Sequence, residues 1–118
     1  KLVAPATQHH HPSAVKSWAS IDTSAALGAN YNISSAVDNG TGDWTVNHGT
    51  DFASASYGVA YGLGGGSTGV ANGAMTRPGG QAAGSLRMQG WFANNGGNVG
   101  VPSDSSIDRI NCASFGDQ

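Results

Sequence analysis

The sequence predicts an all-β protein: an antiparallel β-sandwich of about seven to eight strands with long Gly-rich loops. Three observations predict it. Apart from Ala, strong helix formers are scarce, and no window keeps a 3.6-residue apolar period without a Gly interruption; Glu is absent and 19 of the 118 residues are Gly. Several short segments alternate apolar and polar side chains at period two, the signature of half-buried strands. Turn residues punctuate these segments, above all the Asn39-Gly40 dipeptide. Hydrophobic residues make up 38% of the chain, much of it Ala, so the core of one chain is thin and oligomerisation is expected to add stability.

Residues 1–13, KLVAPATQHHHPS, read as a neck or linker, and residues 14–118 as one domain. Pro5 and Pro12 disfavour helix in the neck. His9 and His11 form an H-x-H pair, and in an extended strand residues i and i+2 point the same way. Three chains on a threefold axis would offer six imidazole nitrogens in an octahedron. The metal expected there is iron, nickel or zinc, with six-coordination favouring the first two. The plainer readings are a solvated His-rich linker or a purification-tag remnant. The chain starts without Met and carries no signal peptide, which points to the ordered end of a longer protein.

Residues 14–22 make a first strand, with Trp18 expected as a packing anchor, and residues 23–29 a short loop around Gly28. The next two strands form a hairpin. Tyr31, Ile33, Ser35 and Val37 fall on one face, Asp38-Asn39-Gly40-Thr41-Gly42 makes the turn, and Trp44 and Val46 resume the alternation. Residues 52–62 read as a fourth strand with Tyr57, Val59 and Tyr61 on one face and the small Gly58, Ala60 and Gly62 on the other. Residues 63–84 read as a long flexible loop flanking a short strand from Thr68 to Thr76. Residues 85–92 alternate cleanly, with Leu86, Met88 and Phe92 one way and Arg87, Gln89 and Trp91 the other. Asn94 and Asn95 open an exposed tip, and a last strand runs from Ser105 to Phe115 with Cys112 as a small buried hydrophobe.

Three runs carry a family resemblance: Lys16-Ser17-Trp18, then Tyr31-Asn32-Ile33-Ser34-Ser35, then Asp38-Asn39-Gly40-Thr41-Gly42-Asp43-Trp44-Thr45-Val46-Asn47. Together they resemble a module of tailed-phage fibre and related virion proteins that reads KAWVNF…YNVSS(V/I)TDNGTGDYTVNF. The resemblance covers roughly residues 14 to 62, and the closing Phe115-Gly116-Asp117-Gln118 resembles the family's chain end. It implies a homotrimer, a place in the phage tail of the virion, and upstream fibre or baseplate proteins as neighbours. Some long phage fibres carry H-x-H metal sites of the kind described for His9 and His11.

No enzyme constellation emerges. Gly64-x-Gly66-x-x-Gly69 matches the dinucleotide fingerprint only formally, because no helix can follow and no acid lies about 20 residues on. His48 lies near Asp51 among many serines, but no nucleophile elbow surrounds any serine. Net charge is −2 with five scattered basic residues, which argues against nucleic acid as a partner, and no apolar run is long enough to insert into a membrane. What the resemblance implies, with a composition that suits a structural and adhesive role, is the C-terminal domain of a phage tail fibre or receptor-binding protein, attaching to a host-cell surface glycan or outer-membrane protein. The receptor face is expected at Arg87, Gln89 and Trp91, with Asn94 and Asn95 at the adjoining tip, since Trp stacks and Arg donates hydrogen bonds. The alternatives are a non-adhesive virion module (collar, decoration or fibre docking) and, more remotely, a secreted carbohydrate-binding or esterase-like sandwich.

Overall fold

The computed structural model describes residue 11 and residues 13–64, 71–93, 101–102 and 107–118. These residues contain no helix. Their strands are β1 (Val15–Ile21), β2 (Leu27–Tyr31), β3 (Ile33–Gly40), β4 (Asp43–His48), β5 (Gly58–Gly64), β6 (Ala71–Ala82), β7 (Ser85–Ala93), the two-residue β8 (Val101–Pro102) and β9 (Arg109–Phe115). All pairings are antiparallel. One sheet has the order β2-β1-β9-β5 and the other β3-β4-β7-β6, with β8 beside the end of β7. The expected all-β, two-sheet, sandwich-like class is therefore what the chain adopts.

The core lies between the sheets. Ala19 and Ile21 of β1 and Ile110 and Cys112 of β9 meet Trp44 and Val46 of β4 and Leu86 and Met88 of β7, all buried. Full burial of each large side chain is worth about 1.5–3 kcal/mol. Trp44 is wholly buried, and its indole N–H donates to the Thr23 carbonyl at 2.9 Å, which satisfies its one polar atom. Gly90 lies beneath that ring; a Cβ there would stand 2.8 Å from Trp44 Cζ3. The strand of large residues is thus matched by a neighbour that has none at that point.

The DNGTGDWTVN run forms the β3–β4 hairpin. Gly40 pairs with Asp43, so the turn centres on Thr41-Gly42 rather than on Asn39-Gly40, with a bulge between Asp38 and Gly40. Gly40 and Gly42 both have positive φ, at 123° and 66°. Asp38 Oδ1 accepts from the Gly40 N–H at 2.9 Å, Asn39 Nδ2 donates to Thr45 Oγ1 at 2.8 Å, and the Gly90 N–H donates to the Gly42 carbonyl at 2.9 Å. These side chains make the turn self-supporting and fasten it to β7.

Several expectations need correction. The first hairpin strand is not continuous from Tyr31. Asn32 takes a left-handed φ of 54°, and there the chain leaves one sheet (β2) and enters the other (β3). The Asn32 amide holds this corner: Nδ2 donates to the Lys16 and Thr50 carbonyls, and Oδ1 accepts from the Thr50 N–H at 2.7 Å. Tyr31, Ile33, Ser35 and Val37 consequently do not share a face. Tyr31 is exposed on the first sheet, Ile33 packs against the core, and a shift between Ile33 and Ser35 leaves Val37 exposed. Residues 23–29 are not all loop, since β2 begins at Leu27.

The expected fourth strand starts only at Gly58. The preceding residues close one end of the sandwich through backbone bonds from Phe52 to Ala83 and from Ala53 to Asp117. The expected long loop at 63–84 is mostly strand: β6 pairs with β7 from Ala71 to Ala82, with an irregularity between Thr76 and Gln81, while residues 65–70 lie outside the described residues. Its Gly-rich sequence is strand because β7 supplies a template and bulk, not because its own side chains favour extension. The last strand begins at Arg109 among the described residues, not at Ser105. It lies between β1 and β5.

Candidate functional site

The outer face of the β3-β4-β7-β6 sheet carries Arg87, Gln89 and Trp91, three residues of the expected receptor surface. Inward Leu86 and Met88 force them outward by the pleat. Register places Arg87 beside Thr45, Gln89 between Asp43 and Met75, and Trp91 beside Gly73. The other two members, Asn94 and Asn95, lie outside the described residues.

Arg87 and Trp91 are engaged within the chain. Arg87 Nε and Nη2 each donate to the Asp43 carboxylate at 2.8 Å, and Arg77 donates to the same group. The Asp43 side chain is 10% exposed, against 41% for Arg87 and 43% for Arg77. The hydrogen bond from Arg87 holds the Asp43 carboxyl below its ordinary range, against the opposing effect of burial. The Trp91 indole lies across Gly73, where a Cβ would stand 2.2 Å from Cζ2. One face of the ring is thus spent covering the β6 backbone. This face of the protein is an ion-paired cluster with an aromatic cover.

The other outer face belongs to the β2-β1-β9-β5 sheet, and sequence reasoning missed it. Because Ala19 and Ile21 point inward, Trp18 points outward, and it is 39% exposed rather than a core anchor. Register aligns Tyr31, Trp18, Ala113 and Ala60 in one row across the four strands, and Ser20, Asn111 and Gly62 in the next across three. Tyr31 is 45% exposed. Over β1, β9 and β5 lies a trough of about 340 Å³, walled by Trp18 and floored by small residues. The smallness of Gly58, Ala60 and Gly62 was the one sequence signal for it.

Three histidines were singled out beyond these faces, and the structure describes His48 and His11. His48 is buried where β4 ends, edge-on to Phe52 at 5.0 Å and to Tyr57 at 5.6 Å, with Nε2 3.3 Å from the Tyr57 hydroxyl. That hydroxyl donates toward the Ala82 and Ser85 carbonyls. Burial pushes the His48 imidazole below its ordinary pKa, opposed by the nearby Asp51 carboxylate. No serine or carboxylate hydrogen-bonds its ring among the described residues, so its surroundings are those of a packing group. His11 is exposed, and its Nδ1 accepts from the Ser13 N–H at 3.2 Å and lies 2.6 Å from the Ser13 hydroxyl. Its Nε2 remains the nitrogen to offer a metal; its expected partner His9 lies outside the described residues.

Among the described residues no three His, Cys, Asp or Glu side chains gather as a metal site. Cys112 is a buried free thiol, pushed up to about 11 by burial, which makes it a poor nucleophile and ligand. No protein-family model, curated protein or solved structure matches the chain.

Proposed function

We propose that this chain is the host-facing tip domain of a tailed-phage fibre or receptor-binding protein, acting as a homotrimer in the virion tail and attaching to the host surface without catalysis. The observation that carries the reading is the hairpin from Asp38 to Asn47. The run by which the chain resembles virion modules is the run that builds the sheet: Asp38, Asn39 and Gly42 form the turn, Trp44 fills the core, and Asp43 holds Arg87 of β7. A motif spent on architecture suits a module used in several virion settings, with recognition left to other surfaces. Trimerisation through the neck would multiply weak contacts by avidity.

A second reading is a non-adhesive virion module for collar, decoration or fibre docking. The engagement of Arg87 and Trp91 inside the chain favours it. Labelled residues 1–118, applied to a panel of susceptible and resistant bacteria, separate the two. Staining of susceptible cells and blocking of phage adsorption are expected. Absence of both moves the assignment to the second reading. Light scattering should give three times the 11.8 kDa chain mass.

A further inference from the structure

We propose that the trough on the outer face of the β2-β1-β9-β5 sheet is a binding site for an uncharged glycan, with a sugar ring packed on Trp18 and hydrogen-bonded by Asn111 and Ser20. This deepens the adhesive reading and rests on it.

The trough's volume, about 340 Å³, lies within the range of small-ligand sites. Its floor is Ala113, Ala60 and Gly62, so the backbone can be approached closely. An exposed indole forms one wall, presenting the aromatic surface on which the C–H face of a sugar rests. Asn111, in the row beside it, is exposed and lies against Gly62: a Cβ on that glycine would stand 3.8 Å from Asn111 Nδ2. An amide supplies both donor and acceptor to neighbouring sugar hydroxyls, and the Ser20 hydroxyl adds a third polar group.

Two observations select this occupant. No lining residue of the trough is charged, so charge complementarity favours a neutral ligand over an acidic polysaccharide or a charged peptide. A second copy of the chain is poorly served by the face. Four strands about 4.8 Å apart, three of seven residues and β2 of five, span at most roughly 19 by 23 Å. That plane projects to on the order of 440 Å², a small footprint for a standard interface, in which each partner buries roughly 800 Å² of accessible surface. A sugar chain lying across the strands needs far less.

The test uses labelled residues 1–118 on a printed array of neutral and acidic bacterial surface polysaccharides and on whole susceptible cells. The variants are Trp18→Ala, Ala60→Phe, which fills the trough from an exposed strand position, and Gln89→Ala on the opposite sheet. Melting curves and light scattering accompany each one. The expected result is binding to a neutral polysaccharide that falls about tenfold or more in Trp18→Ala and in Ala60→Phe, with melting and mass unchanged. Binding lost in Gln89→Ala but retained in both trough variants overturns the trough and leaves adhesion standing. Cell binding without binding to any polysaccharide, or binding to acidic ones alone, overturns the neutral glycan. A change of oligomeric mass in Trp18→Ala makes the face an interface between copies and overturns the proposal. Binding to neither array nor cells overturns adhesion itself, and the trough with it.

Discussion

Replacing Asp43 with Asn tests whether the hairpin is held to the sheet by charge. The carboxylate takes two bonds from Arg87 at 2.8 Å, one from Arg77 and a longer one from Asn39 at 3.4 Å. An amide of the same shape keeps one acceptor and turns an N–H₂ toward a guanidinium. One Arg87 bond becomes a donor–donor contact, and two adjacent cations lose their counter-charge. Charge-assisted bonds are worth about 1.5–3 kcal/mol when sheltered, and exposed pairs only about 0.2–1 kcal/mol. Asp43 is sheltered while both arginines are two-fifths exposed, so the sum falls near 2 kcal/mol, partly screened by salt. For a domain of this size that corresponds to a melting shift of roughly 6–10 °C. Urea unfolding of wild type, Asp43→Asn, Arg87→Gln and the double variant reads the coupling directly.

The pH dependence has a definite sign. The folded pKa of Asp43 is lowered, so its contribution is present above the unfolded value of about 3.9 and is lost as pH falls through the folded value. The difference between wild type and Asp43→Asn should therefore shrink in acid. A change of less than about 0.5 kcal/mol at neutral pH, within the range of ordinary surface substitutions, would refute the reasoning.

Gly90→Ala should destabilise by about 1–3 kcal/mol, since its Cβ would sit 2.8 Å from Trp44 Cζ3 and 3.2 Å from Ile107 Cδ1 in a closed core; urea midpoints check it. His48 gives a second pH signature of opposite chemistry. Its folded pKa is lowered from about 6.5, so the unfolded chain takes the proton first, and stability should fall by up to about 1.4 kcal/mol per pH unit as pH drops below 6.5. Unfolding curves from pH 7.5 to 5 read that slope, and His48→Phe should flatten it. If His9 and His11 hold a metal, chelator at neutral pH should lower the melting temperature and elemental analysis should find iron, nickel or zinc. An unchanged curve with no metal removes that site.

The sequence by itself determined what depends on neighbours within a few residues. Period-two alternation sorted Leu86 and Met88 from Arg87, Gln89 and Trp91, and it put Tyr57, Val59 and Tyr61 on one face, of which Val59 and Tyr61 pack against the core and Tyr57 is buried beside it. The Gly and Asn content of 38–42 announced the hairpin, although the bulge moved the centre of its turn. These features follow from the pleat and from φ preferences, which are local. Only the tertiary structure decided the rest. Asn32 became a corner because carbonyls of Lys16 and Thr50, far along the chain, lie within reach of its amide. The Gly-rich β6 became a strand because β7 offered a template. Arg87 was legible as outward but not as neutralised, since Asp43 lies 44 residues away and spacing says nothing about such a pair. Trp18 turned outward because Ala19 and Ile21 had the opposite sheet to pack against. Which face of an alternating strand is buried depends on what lies across from it, and that is set only when the two sheets meet.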